Sequence, residues 1–227
     1  MTKSIPLVRI SRRYPWAIFP VASRDAGQTR KIADWSDGDF RWLRRGRNSR
    51  RCPSFALAQR SLLTLLSPVD VHLHPLEEIQ FDCPSETLGE FSETNAIREV
   101  WKTGDTFIGF RSPTGLRKYD FRVQDHWEAM FLPNGENTIE WRLGLNVEIP
   151  DECALFFCSD PETAGVAVVP GMLTKARLDR MNSSTGLSIA VKPTVDVGVR
   201  RGQPIAMMLL VSVPLLDAKV LHDDGAS

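Results

Sequence analysis

The chain has 227 residues with ordinary globular composition, 42% hydrophobic and 25% charged, which excludes wholesale disorder and leaves room for a core that needs no staples. No stretch approaches the ~20 apolar residues that span a bilayer, and the opening Met1-Thr-Lys-Ser-Ile-Pro-Leu-Val-Arg is too short in apolar run for a signal peptide. The expectation is therefore an intracellular (cytoplasmic) protein, not secreted by a signal peptide and with no membrane partner. The neutral total hides a split: residues 1–60 hold fourteen Lys/Arg against four Asp, an excess of ten that the remainder reverses.

In chain order, residues 1–50 read as a basic extended N-terminal arm. Short apolar pieces alternate there with Arg/Asp/Gly stretches. The arginines are densest at Arg41, Arg44, Arg45, Arg47, Arg50 and Arg51. Trp16, Phe19, Trp35, Phe40 and Trp42 argue that the arm packs on something, because mobile tails are poor in aromatics. Ser54–Arg60 suggests a short helix. Leu62–His74 reads as a strand broken at Ser67-Pro68, with Val69, Val71 and Leu73 alternating. Strands are expected next at Glu78–Phe81, Ala96–Trp101, Thr106–Arg111, Lys118–Val123 and Trp127–Leu132. Another spans Thr138–Ile149, split by Gly144. Pro133-Asn134-Gly135 is a turn signal between two of them. Ala154–Cys158, Gly165–Val169, Leu187–Val191, Val195–Val199 and Pro204–Val213 complete the series, with a short helix over Met172–Arg180. Strands this short and this evenly spaced, punctuated by Gly, Pro and Asn, predict an all-β domain with short helices. We expect a jelly-roll-like sandwich or barrel over residues 51–222, with a tail at 223–227.

The last third carries a cadence: Leu145-Asn-Val-Glu-Ile-Pro-Asp-Glu-Cys-Ala-Leu-Phe-Phe-Cys, Gly165-Val-Ala-Val-Val-Pro-Gly, Leu187-Ser-Ile-Ala-Val-Lys-Pro, and Val199-Arg-Arg-Gly-Gln-Pro-Ile-Ala-Met-Met-Leu-Leu-Val. Arg51-Cys-Pro and Ser67-Pro-Val-Asp fit with it. The pattern, over about residues 50–215, resembles an uncharacterised phage and bacterial DUF6065-like family. That resemblance implies a phage-related setting and carries no catalytic residue. Gly202-x-Pro-Ile-Ala also looks like the closing strand of trimeric dUTPase and dCTP deaminase barrels. Their Arg-Ser-Ser/Gly phosphate motif and their acidic segment are missing from this chain.

His72-x-His74-x-x-x-Glu78 resembles the first cupin motif, since two histidines two apart on a strand share a face and a following carboxylate completes a metal triad. The glycine expected six residues before His72 is Leu66, and Pro170-Gly171 is followed by Met-Leu-Thr-Lys rather than by a histidine. His126 is a further nitrogen with nothing to aim it inward. The expectation is that none of these binds metal and that there is no cofactor. Cys153 and Cys158, an odd number apart, fall on opposite strand faces; with Cys52 and Cys83 they read as free buried thiols. No Gly-x-Ser-x-Gly and no P-loop is present. Trp101, Phe107, Phe110, Trp127, Phe131 and Trp141 read as core.

The Arg41–Arg51 cluster has three readings. It can pack on the acidic remainder of its own chain, clamp a partner's carboxylates, or follow a nucleic-acid backbone. Trp16, Trp35, Arg41, Trp42, Arg44, Arg45, Arg47, Arg50 and Arg51 are the candidate partner-binding residues. The function expected is a non-enzymatic interaction or assembly protein, phage-related, with a virion component as its specific form. It would bind a protein or self-associate through the arm, with nucleic acid a lesser reading. The alternatives are a cupin-like metal-dependent enzyme and a nucleotide-binding relative of the dUTPase-type barrel.

Overall fold

The computed structural model describes residues 7–22, 61–160 and 163–215, and its architecture is all-β. Strand alternation builds two sheets that share one core. The first runs β15 (Gly171–Thr174), β13 (Cys153–Cys158), β18 (Pro204–Ser212), β3 (Leu62–Leu66) and β2 (Val21–Ala22). The second runs β10 (Phe131–Gly135), β11 (Thr138–Arg142), β16 (Ser188–Pro193) and β14 (Val166–Val168). Every pairing is antiparallel. Leu65, Leu155, Phe157, Ile205 and Met208 of the first sheet join Phe131, Ile139, Trp141, Ile189 and Val191 of the second in one buried cluster. This is the jelly-roll-like sandwich expected from the alternation.

Two short ribbons close the ends. One pairs β1 (Arg9–Arg12) with β12 (Leu145–Glu148), setting Ile10 opposite Val147. The other pairs β4 (Val71–Leu73) with β17 (Val197–Val199). A thinner region lies between β4 and β10. There β5 (Glu78–Phe81), β7 (Thr106–Phe110) and β6 (Glu99–Thr103) form a three-stranded sheet, in that order. The helix α1 (Leu88–Thr94) accompanies it, with Phe91 stacked on Phe81 at 4.5 Å between ring centroids. A separate ribbon pairs β8 (Phe121–Val123) with β9 (His126–Glu128). The second helix, α2 (Lys175–Ser183), packs on β12 and buries Leu178.

Several sequence expectations are corrected. The turn after β10 falls at Glu136-Asn137, both at positive φ (53° and 58°), not at Pro133-Asn134-Gly135. Gly135 pairs with Thr138 across it, and Pro133 is a buried strand residue opposite Ile139. Two consecutive left-handed residues give the twist a two-residue hairpin needs. Met172 belongs to β15, so the helix expected from there starts at Lys175. Lys118 lies in a 3-10 turn (Leu116–Tyr119) ahead of β8. The helix α1 had no counterpart in the strand pattern. Trp127 is 69% exposed, not core. The expected helix at Ser54–Arg60 and the tail at 223–227 lie outside the described residues.

Candidate functional site

Of the candidate partner-binding residues, Trp35, Arg41, Trp42, Arg44, Arg45, Arg47, Arg50 and Arg51 lie outside the described residues. Trp16 is placed. Its ring stacks on Tyr14 (5.3 Å) and meets Phe121 edge-on (4.9 Å). It lies so close over Gly144 that a Cβ there would sit 2.6 Å from the indole. Gly144 has φ +69°, and its carbonyl accepts the N–H groups of Arg13 (2.9 Å) and Tyr14 (3.3 Å). The start of the chain is thus built into the sandwich by β1, the Trp16 contact and β2. Within residues 1–50, β1 pairs with β12 and β2 with β3.

The pairing of β2 with β3 sets Val21 opposite Thr64 and Ala22 opposite Leu63.

His72 and His74 share the exposed face of β4, as alternation requires, with ring centroids 4.6 Å apart. His74 Nδ1 lies 2.9 Å from Asp196 Oδ1. Glu78 accepts a hydrogen bond from Gln80 Nε2 at 2.9 Å, and His126 pairs instead with Glu128 at 3.1 Å. Among the described residues, no three His, Cys, Asp or Glu side chains converge as a metal site would require. Cys153 and Cys158 are free. Burial, then Glu152 beside the first and Asp160 beside the second, pushes both thiols up. Raised thiols resist forming the nucleophilic thiolate. No helix of the described residues is long and apolar enough to cross a membrane.

The feature that sequence reasoning missed is a groove of about 390 Å³ between α2 and the outward face of β11 and β16. Arg142 and Glu140 of β11 and Arg177 and Arg180 of α2 line it, with Ser184, Thr185 and Ser188 alongside. Helix and strand periodicities explain the grouping. Residues two apart on β11 share a face, and residues three apart on α2 are neighbours. At the C-terminal end of α2 the N–H groups of Ser184 (3.0 Å) and Gly186 (2.7 Å) both reach the Met181 carbonyl. Gly186 has φ +78°, and a Cβ on it would fall 2.6 Å from the Leu145 carbonyl oxygen, so only glycine fits this exit. Arg142 is held from behind: Nη1 donates to Glu128 Oε2 (2.8 Å) and to the Ala129 carbonyl (2.9 Å). Its Nε is buried with no hydrogen-bond partner, as is Asp120 Oδ1. Burial raises the Asp120 pKa, and Arg117 and then Arg142 pull it partly back.

The chain matches no protein-family model and no curated protein sequence. Among solved structures, it is similar to the dUTPase of phage phi11 of S. aureus, at 8% identity and TM-score 0.38, covering 97% of this chain and 99% of that one. It is similar to the Staphylococcus bacteriophage 80alpha dUTPase at 9% identity and TM-score 0.39, covering 97% and 98%. The EIAV dUTPase gives 8% identity and TM-score 0.33 over 74% and 87%. Likeness at this level carries no residue role or activity to this chain.

Proposed function

We propose that the protein is a non-enzymatic assembly module, a β-sandwich that presents a basic segment to an acidic surface on another copy of itself or on another protein. The β2–β3 pairing carries the reading. It fastens both ends of the segment to one sheet edge, and between Ser23 and Arg60 the sequence holds ten Lys/Arg against four Asp. Residues 41–51 alone contribute six arginines and no acid. Loops between paired strands usually run ~2–5 residues, and long connections on a rigid scaffold are where binding concentrates. Trp35 and Trp42 are the anchors of this contact and the six arginines its forks for carboxylates. The cadence shared with a phage and bacterial family supports a phage setting, with a virion component as the specific form.

The test replaces residues 24–60 by a short Gly/Asn-containing turn and compares particle mass and melting temperature with the intact chain, at low and high salt. The expected result is loss of salt-sensitive association with an unchanged melting temperature. A lower melting temperature at unchanged mass assigns the segment to its own sandwich and sinks the proposal. Steeply salt-dependent DNA binding by the intact chain, absent after replacement, favours the nucleic-acid reading. The cupin-like alternative keeps one supporting observation, the His72–His74 juxtaposition, and metal content of the purified protein tests it.

A further inference from the structure

We propose that the groove between α2 and the β11–β16 face binds a phosphate monoester carried on a small polar molecule. The cations of α2 divide into those already paired and those that are not. Lys175, on the same helix, donates to Asp179 at 2.7 Å and lies 3.8 Å from Asp151. Arg177 and Arg180, turned toward the groove, have no hydrogen bond or ion pair from their guanidinium groups among the described residues. Two like charges three apart on a helix cost it stability. The cost is small on an exposed face, and an anion between them removes it.

Arg142 forms the third wall. Glu128 and the Ala129 carbonyl hold its Nη1 and so fix the plane of the guanidinium. Its Nε is buried out of solvent, so Arg142 acts on the groove through its charge and its remaining amino group. Guanidinium forks match the oxygens of phosphate, and a group fixed beforehand loses little freedom on binding. The carbonyl end of α2 opposes an anion with roughly half a charge, which two unpaired guanidinium groups exceed. The Thr185 and Ser188 hydroxyls add neutral donors on the floor.

Glu140 narrows the ligand. Its carboxylate lines the same groove, two residues from Arg142 on the same strand face. A polyanion, such as a run of acidic side chains, would be repelled there. A molecule with one phosphate and a hydroxyl or amine at its other end would instead donate to it. The volume of about 390 Å³ suits a ligand of that size, near the lower end of small-molecule sites. None of these residues belongs to the basic segment, so the inference stands apart from the assembly proposal.

The test titrates the intact chain with ribose 5-phosphate, inorganic phosphate and polyglutamate, followed by calorimetry. Ribose 5-phosphate should saturate a single site. Arg177→Gln and Arg180→Gln should each weaken it about tenfold or more, as for loss of one charged hydrogen-bond partner. Lys175→Gln should change it less than about twofold, because that cation is already paired. Glu140→Gln should shrink the preference for ribose 5-phosphate over inorganic phosphate. Both arginines are exposed, so melting curves of the variants should match the parent. Absence of saturation, equal weakening by Lys175→Gln, or tighter binding of polyglutamate would each overturn the proposal. The chain with residues 24–60 replaced should bind ribose 5-phosphate as the parent does, whatever becomes of its association.

Discussion

Two tryptophans mark the two halves of this molecule. Trp141, on β11, has no exposed surface, while Trp127, on β9, is 69% exposed. Both sit on antiparallel strands: Trp141 has the Phe131 ring beside it at 5.0 Å, and Trp127 lies opposite Arg122. The difference is the second layer. Trp141 shares one buried cluster with Leu65, Leu155, Phe157 and Ile205 of the facing sheet and with Phe131, Ile139 and Ile189 of its own. The region from β5 to β9 is one sheet thick, helped by a helix of two turns and an isolated ribbon. From there Ile108 and Phe110 of β7 and Leu116 join the buried cluster, while Trp101, Tyr119 and Phe121 pack against it half-buried. Phe107 of β7 faces the other way, onto Phe81 at 5.6 Å. What decides burial in this chain is thus the supply of a facing sheet, not the residue on the strand.

The largest effect that would break this contrast is Trp141→Ala. It should cost about 3–5 kcal/mol, the range for emptying a fully enclosed aromatic site, measured by denaturant unfolding. Phe81→Ala, in the thin region, should cost clearly less, because part of its surface is already in water. Equal losses would mean that the two regions share one core.

Gly144→Ala comes next and sharpens the boundary of the thick region. The left-handed φ costs about 1–2 kcal/mol for any side chain, and the new Cβ meets the Trp16 ring at 2.6 Å. Unfolding of Gly144→Ala, Trp16→Ala and the double variant forms a cycle in which the strain term persists and the clash term vanishes. Additive losses would show that Trp16 is not seated on Gly144 in solution.

The smallest effect lies at the seam between the regions, where Asp120 precedes β8 and faces Arg142 of β11. Burial raises its pKa, so the folded state disfavours the ionised form. Stability from this group is fullest below the ordinary value of 3.8. It falls as pH rises toward the raised folded value, and stays lower above both. Asp120→Asn should therefore raise the melting temperature at neutral pH, and the gain should fade below about pH 4. A gain that persists in acid would reject burial as the cause.

The strands of the thick region were legible because alternation at Thr138–Arg142 and Leu187–Val191 is a local signal for a half-buried sheet. The turn at Glu136-Asn137 was misplaced because neither residue is glycine; tertiary pairing of Pro133 with Ile139 overrode a strong local turn motif. The helix α1 carries only Leu88 and Phe91 as an apolar pair, too little for a period to show. Trp127 was misread because aromatic identity says nothing about whether a second sheet exists. The His72–His74 pair was legible from its spacing alone. The groove was not, since Arg142, Arg177 and Arg180 come from a strand and a distant helix and are brought together only by topology.

Asn182, at the end of α2, has a consequence for how the protein behaves at high concentration. Its side-chain amide accepts from the Val147 N–H at 3.1 Å and donates to the Val147 carbonyl at 2.8 Å. Its own carbonyl accepts from Arg13 Nη1 at 2.6 Å. A single amide thus occupies the edge of β12 that β1 leaves open, bonding it as a neighbouring strand would. Open strand edges are templates on which a second molecule adds itself. By filling that edge with a side chain, the fold turns a margin open to strand addition into a closed one.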